Sequence, residues 1–193
     1  MAREIAAALT DPPSCWVPPG AQQQLIRVAN STLGGGRAGI ALFFGYLAHS
    51  DQESASYASL ARDFVGETVR AASTELMGPS LFGGFAGIGW TLARLHDWGV
   101  VACDEATFEP IDEALLSFVD RQPWPWQIDL ISGVTGIAVY ALDRLPRPSA
   151  VRTLELIVDT LESSAEKNDQ GITWFTPPHL LQPESLREAP HGY

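Results

Sequence analysis

Cysteine is nearly absent. Cys15 and Cys103 are the only two, far apart and without a CxxC pair, which excludes a disulfide scaffold and fits a reduced, cytoplasmic chain. Positive charge is short as well: 12 Lys and Arg stand against 23 Asp and Glu, a net charge of −11. DNA or RNA would have to be held against net repulsion, so nucleic acid is not an expected partner. No uninterrupted apolar run approaches the roughly eighteen residues that span a bilayer, because glycines and charges break the longest ones. The N-terminal run is too short for the apolar core of a secretion signal and is interrupted by Glu4. Alternating β-branched runs are missing too, while Ala, Leu, Glu and Arg dominate the periodic segments, so strands are not expected. What remains, 46% apolar and 18% charged residues, is enough for a sizeable core in a single domain spanning 1–193.

A glycine beat organises that domain. Gly36-Arg37-Ala38-Gly39-Ile40, Gly84-Phe85-Ala86-Gly87-Ile88 and Gly133-Val134-Thr135-Gly136-Ile137 each read G-x-x-G-Ile and run into an apolar stretch. Their first glycines lie 48 and 49 residues apart, a near-constant period that marks stacked supersecondary units. The stretches Ile40–Ala48, Ile88–Leu95 and Ile137–Leu145 are apolar on nearly every side and read as inner helices enclosed by others. Between them, apolar residues return at helical spacing: Ala58, Ala61, Val65 and Val69; Ile111, Leu115, Phe118 and Val119; Val151, Leu154, Val158 and Leu161. These are expected to be outer helices with one wet face. The breakers Gly78-Pro79, Pro123-Trp124-Pro125, Pro146-Arg147-Pro148 and Pro177-Pro178 punctuate the array. The expected fold is therefore all-α, a series of helical hairpins. Glycine at the start of each inner helix would permit unusual backbone angles and close approach of a neighbouring backbone.

Leu81-Phe82-Gly83-Gly84-Phe85-Ala86-Gly87-Ile88-Gly89, Asp129-Leu130-Ile131-Ser132-Gly133-Val134-Thr135-Gly136-Ile137, and the tail from Gly171-Ile172-Thr173-Trp174-Phe175-Thr176-Pro177-Pro178 to Pro190-His191-Gly192-Tyr193 together resemble the lanthionine synthetase C-like family. The resemblance covers essentially the whole chain. It implies an α/α toroid of seven hairpins, of which about three are present here, and an enzyme that joins cysteine thiols of a precursor peptide to dehydrated Ser and Thr residues. In that family a zinc ion, bound by two cysteines and a histidine in the second half, activates the thiol. A further histidine, in a His-Gly motif just beyond the segment matching Pro190–Tyr193, assists proton transfer. On this reading the chain is truncated before those residues, is not expected to retain the activity alone, and leaves unclosed repeat ends through which it would self-associate.

The chemical inventory agrees with that expectation. Cys15, Cys103, His49, His96, His179 and His191 show no metal-ligand spacing, since His96 and Cys103 straddle the end of an expected helix and Cys15 stands alone. No metal or cofactor site is expected in the chain. His191 matches the segment before the family's catalytic histidine and is not that residue. Asp129, before the third glycine pair, matches a family catalytic position, where a carboxylate accepts a proton or orients a thiol. It also reads as a loop carboxylate near a helix start, held by backbone N–H donors, and a lone carboxylate favours that second reading. Gly34-Gly35-Gly36-Arg37-Ala38-Gly39 fits GxGxxG, but a dinucleotide site needs a strand before it, and the in-phase copies explain these glycines better.

Two other classes of function compete. Helical repeats present concave surfaces, so a noncatalytic module binding a precursor peptide is one. A carbohydrate-active α/α toroid with Glu109, Asp112 or Glu113 as acid and base is the other, weakened because these residues fall on an expected outer helix at solvated spacing.

Overall fold

The computed structural model describes residues 2–12, 20, 22–50, 54–121 and 127–175. Eight helices occur among them: α1 (Ala2–Leu9), α2 (Gln23–Ala29), α3 (Arg37–Ser50), α4 (Ser54–Thr74), α5 (Phe85–Asp97), α6 (Glu105–Val119), α7 (Val134–Asp143) and α8 (Pro148–Ser164). A short antiparallel hairpin follows, β1 (Ala165–Asn168) and β2 (Gly171–Trp174), with Ala165 opposite Trp174. It is a small addition to an otherwise all-α chain, and its Trp174 indole donates to the Leu161 carbonyl at 2.8 Å, fastening it to α8. None of the described helices is long and apolar enough to cross a membrane.

The three glycine units are three hairpins: α3 with α4, α5 with α6, and α7 with α8. Helix α5 packs between α3 and α7, α4 leans across onto α5, and α6 packs on α8. The enclosed position of α5 explains its all-round apolar sequence: Ala86 to Ala93 are buried apart from Trp90, and so is Leu95. Phe44 stacks on Phe64 of α4 and with Tyr57, at centroid separations of 5.9 and 6.0 Å, in a core shared by α3, α4 and α5. A second core joins Leu115, Val119, Val134, Ile137, Tyr140 and Ile157 across the last two units.

Gly36, Gly84 and Gly133 stand immediately before the inner helices, and Gly39, Gly87 and Gly136 occupy their third positions. The reason is space rather than backbone angle, because the described glycines with positive φ are Gly20, Gly99 and Gly171. A Cβ on Gly84 would lie 2.0 Å from the Gly78 carbonyl oxygen, and one on Gly133 would lie 2.3 Å from that of Gln127. The second glycines lock unit to unit. A Cβ on Gly87 would meet the Leu33 Cβ at 2.9 Å, and one on Gly136 would meet the Leu81 Cβ at 2.8 Å. Each leucine comes from the preceding unit. Beside these seats runs a backbone ladder, in which the Gly34 N–H donates to the Phe82 carbonyl (2.8 Å) and the Phe82 N–H donates to the Ile131 carbonyl (3.3 Å).

The outer helices partly depart from expectation. In α4, Ala61 and Val65 are buried as the spacing requires. In α8 the buried face is Ala150, Thr153 and Ile157, whereas Val151 and Val158 of the expected stripe are 38% and 58% exposed. Helix α8 carries apolar residues on two faces, and only one of them is covered in the described structure. In α6 the inward stripe is Phe108, Asp112, Leu115 and Val119, with Asp112 in place of an apolar residue.

Candidate functional site

The ladder gathers the loops before α3, α5 and α7 at one end of the array, so three helix N-termini open on the same side. Asp129 lies in the third loop. Its Oδ1 accepts from the N–H groups of Ile131 (2.7 Å) and Ser132 (2.8 Å), an Asx turn that fixes the carboxylate before α7 begins. The loop is held further by the Gly133 N–H on the Asp129 carbonyl (3.0 Å), the Val134 N–H on Gln127 (3.0 Å) and the Thr135 hydroxyl on Ile128 (2.7 Å). The corresponding positions of the first two units are Thr32 and Ser80, so the third loop alone of the three presents an ionisable group here. Asp129 is half-buried.

The sequence's thiol and imidazole candidates do not join it. His49 and His96 lie in the last turns of α3 and α5, at the ends opposite the glycine loops. His49 stacks on Trp98 at 5.7 Å. His96 Nδ1 accepts from the Cys103 N–H at 3.3 Å, which uses the lone pair a metal would need. The Cys103 thiol is pushed up by burial and then by the Asp104 carboxylate, the reverse of an activated nucleophile. Among the described residues no three His, Cys, Asp or Glu side chains converge as a metal site requires. Cys15, His179 and His191 lie outside the described residues. The described donors therefore do not fit a zinc ion.

A buried polar cluster that the spacing did not disclose ties the last two units together. The Tyr140 hydroxyl donates to Asp112 Oδ1 at 2.6 Å, while Arg144 reaches Asp112 Oδ2 at 3.3 Å and also pairs with Glu105. Arg147 holds the other Glu105 oxygen at 2.7 Å, and the Arg144 guanidinium lies 4.2 Å over the Phe108 ring. Asp112 is 7% exposed and Tyr140 2%. Burial first, then the bond to Asp112, raises the Tyr140 hydroxyl far above its ordinary range. The expectation of a solvated Asp112 is thus corrected, since its partners Tyr140, Arg144 and Ser149 all come from the third unit and its charge is shared with Arg144. Glu109 and Glu113 are exposed, whereas Asp112 is buried and paired, so α6 does not present two free carboxylates as acid and base. The one sequence signal was Asp112's place in the stripe with Phe108, Leu115 and Val119.

On the outer side, an apolar groove of about 350 Å³ opens between α4 and α6, lined by Leu76, Met77, Phe85, Ile88, Leu92 and Ile111 among others. Leu76 at its edge is 87% exposed.

A family model of lanthionine synthetase C-like proteins matches residues 27–193, from within α2 through all three glycine units. The chain belongs to that family. The family fold is a toroid, and the three stacked hairpins are consistent with a part of one. No curated protein matches the chain.

Proposed function

We propose that the chain is the N-terminal part of a lanthionine synthetase C-like cyclase and that, by itself, it does not close thioether rings. The family match over residues 27–193 carries this reading. The family chemistry adds a cysteine thiol of a precursor peptide to a dehydrated Ser or Thr, which needs a thiolate near neutral pH. A free thiol supplies only a few per cent. A carboxylate is a base about four to five pK units weaker than a thiolate, so Asp129 cannot supply the rest. Its part in this reading is to orient a peptide thiol or N–H at the shared mouth of the three inner helices, held in one direction by the Ile131 and Ser132 amides. No step is assigned to zinc, because the described donor set does not fit one.

The test is incubation of the purified chain with a dehydrated, cysteine-containing precursor peptide, followed by alkylation of remaining thiols and mass spectrometry. Unchanged thiol content against a protein-free control is expected. Catalyst-dependent ring formation above background would sink the proposal.

A second reading, a noncatalytic peptide-binding module, is favoured by the apolar groove between α4 and α6. Fluorescence anisotropy with the same labelled peptide distinguishes it: saturable binding lost in Leu76→Asp supports it, and equal binding by that variant removes it.

A further inference from the structure

The last turns of α4 separate two concavities of opposite character. On one side is the apolar groove toward α5 and α6, lined by Leu76, Met77, Phe85 and Ile111 together with the buried Ile88 and Leu92. On the other side a cavity of about 440 Å³ opens toward α2 and the start of α3, and Arg27, Arg37 and Arg70 line it. Val69, Ser73 and Glu75 line both, so the two are continuous across the end of α4. Described helices wall each of them: α2 and α3 the basic one, α5 and α6 the apolar one.

Three arginines in one cavity are a concentration of positive charge in a chain with 12 Lys and Arg and a net charge of −11. Two of them are partly neutralised. Arg27 donates to Glu75 through Nε and Nη2, and Arg37 Nε lies 2.7 Å from Glu67. That Arg37 Nε is nevertheless out of line for a hydrogen bond and has no other partner among the described residues. Arg70 is exposed and forms no ion pair among the described residues. Three guanidiniums therefore face two carboxylates, Glu67 and Glu75, and the N–H donors outnumber the acceptors that meet them. A carboxylate fits this surplus, because it accepts two parallel N–H bonds from one guanidinium, whereas an ammonium would meet a local excess of positive charge.

We infer that the continuous groove takes an acidic amphipathic peptide, which seats an apolar side chain between α4 and α6 and lays a carboxylate on Arg70 a few residues away. The inference rests on the peptide-binding reading and adds to it the chemistry of the peptide. Because the chain as a whole is acidic, its long-range field repels such a peptide, so a preference for it comes only from local pairing.

Fluorescence anisotropy of dansyl-labelled Leu-Phe-Ser-Asp-Asp amide reads this, beside two counterparts in which Asn-Asn or Lys-Lys replaces Asp-Asp. The acidic peptide is expected to bind about two- to fivefold more tightly than the Asn-Asn peptide, the scale of one pair at an exposed arginine. The Lys-Lys peptide should bind more weakly than either. Arg70→Gln should bring the acidic peptide to the Asn-Asn level and leave the latter unchanged, while Leu76→Ser should weaken all three. Circular dichroism checks that both variants are folded. Equal binding of the acidic and Asn-Asn peptides, tightest binding of the Lys-Lys peptide, or an acidic preference that survives Arg70→Gln overturns the inference and leaves the peptide-binding reading standing. An acidic peptide indifferent to Leu76→Ser is held by the arginines alone, which overturns the joined site. Absence of binding by all three also overturns the inference; the reading falls with it only if the precursor peptide is not bound either.

Discussion

Tyr140 donates its hydroxyl to Asp112 across 2.6 Å, and the two residues belong to different repeat units, α7 and α6. The pair is a clasp between neighbours rather than a feature of either hairpin. Removing the donor strands a buried carboxylate oxygen, so Tyr140→Phe is expected to cost about 1–3 kcal/mol. In a chain of this size that corresponds to a melting temperature lower by roughly 2–4 °C for each kcal/mol. Calorimetry checks it, and an unchanged melting temperature would mean that Arg144 and Ser149 satisfy Asp112 without the tyrosine.

The same clasp gives a signature at high pH. Burial raises the Tyr140 hydroxyl from its ordinary value of 10.0. Below pH 10 the folded and unfolded states both keep the proton, so this group adds no pH dependence. Above it the unfolded state ionises first, and stability falls as pH rises. Ultraviolet titration should show Tyr140 silent while the chain stays folded. Its ionisation should coincide with loss of the helical signal, and Tyr140→Phe should remove that coupled step. Independent titration of Tyr140 in the folded chain would contradict the burial argument.

Glycines in this chain differ in what they exclude. A Cβ on Gly87 would lie 1.8 Å from the Leu81 carbonyl oxygen, whereas one on Gly66, mid-way along α4, meets nothing nearer than Arg70 at 3.8 Å. Gly87→Ala is therefore expected to destabilise by about 1–3 kcal/mol or more through overpacking. Gly66→Ala should stabilise by about 0.5–1 kcal/mol through helix propensity. Urea unfolding of the two variants gives opposite signs if close approach is the reason for the glycine beat.

Cys103 should be a poor nucleophile. Its thiol is raised by burial and by Asp104, so iodoacetamide should modify it more slowly at pH 8 than a free cysteine, and unfolding in urea should abolish the difference. Cys103 reacting faster than free cysteine would place an activating group beside it.

The glycine period was legible because the constraint is local: each inner helix needs two positions without a Cβ, three residues apart, whatever surrounds them. The inner helices followed from the same pattern. Asp112 was misread as solvated because its partners lie 28 and 32 residues away, and nothing in the spacing of α6 announces them. In α8 Val151 and Val158 mark an exposed face, while the buried one sets the small Ala150 and the polar Thr153 beside Ile157, a stripe with too little apolar bulk to stand out in the spacing. The β1–β2 hairpin escaped notice because four-residue strands as polar as Ala165–Asn168 carry no alternating pattern. Asp129 was legible as a loop carboxylate held by backbone amides, which is the geometry observed.

The leucine of each unit and the glycine it covers never lie in the same unit. Excising one whole period at the glycine mouths, from Gly36 up to Gly84 for instance, would bring Leu33 into the place of Leu81, which covers Gly136. The joint is interchangeable. Gene duplication or deletion in steps of 48 or 49 codons can therefore lengthen or shorten such an array without inventing a new contact.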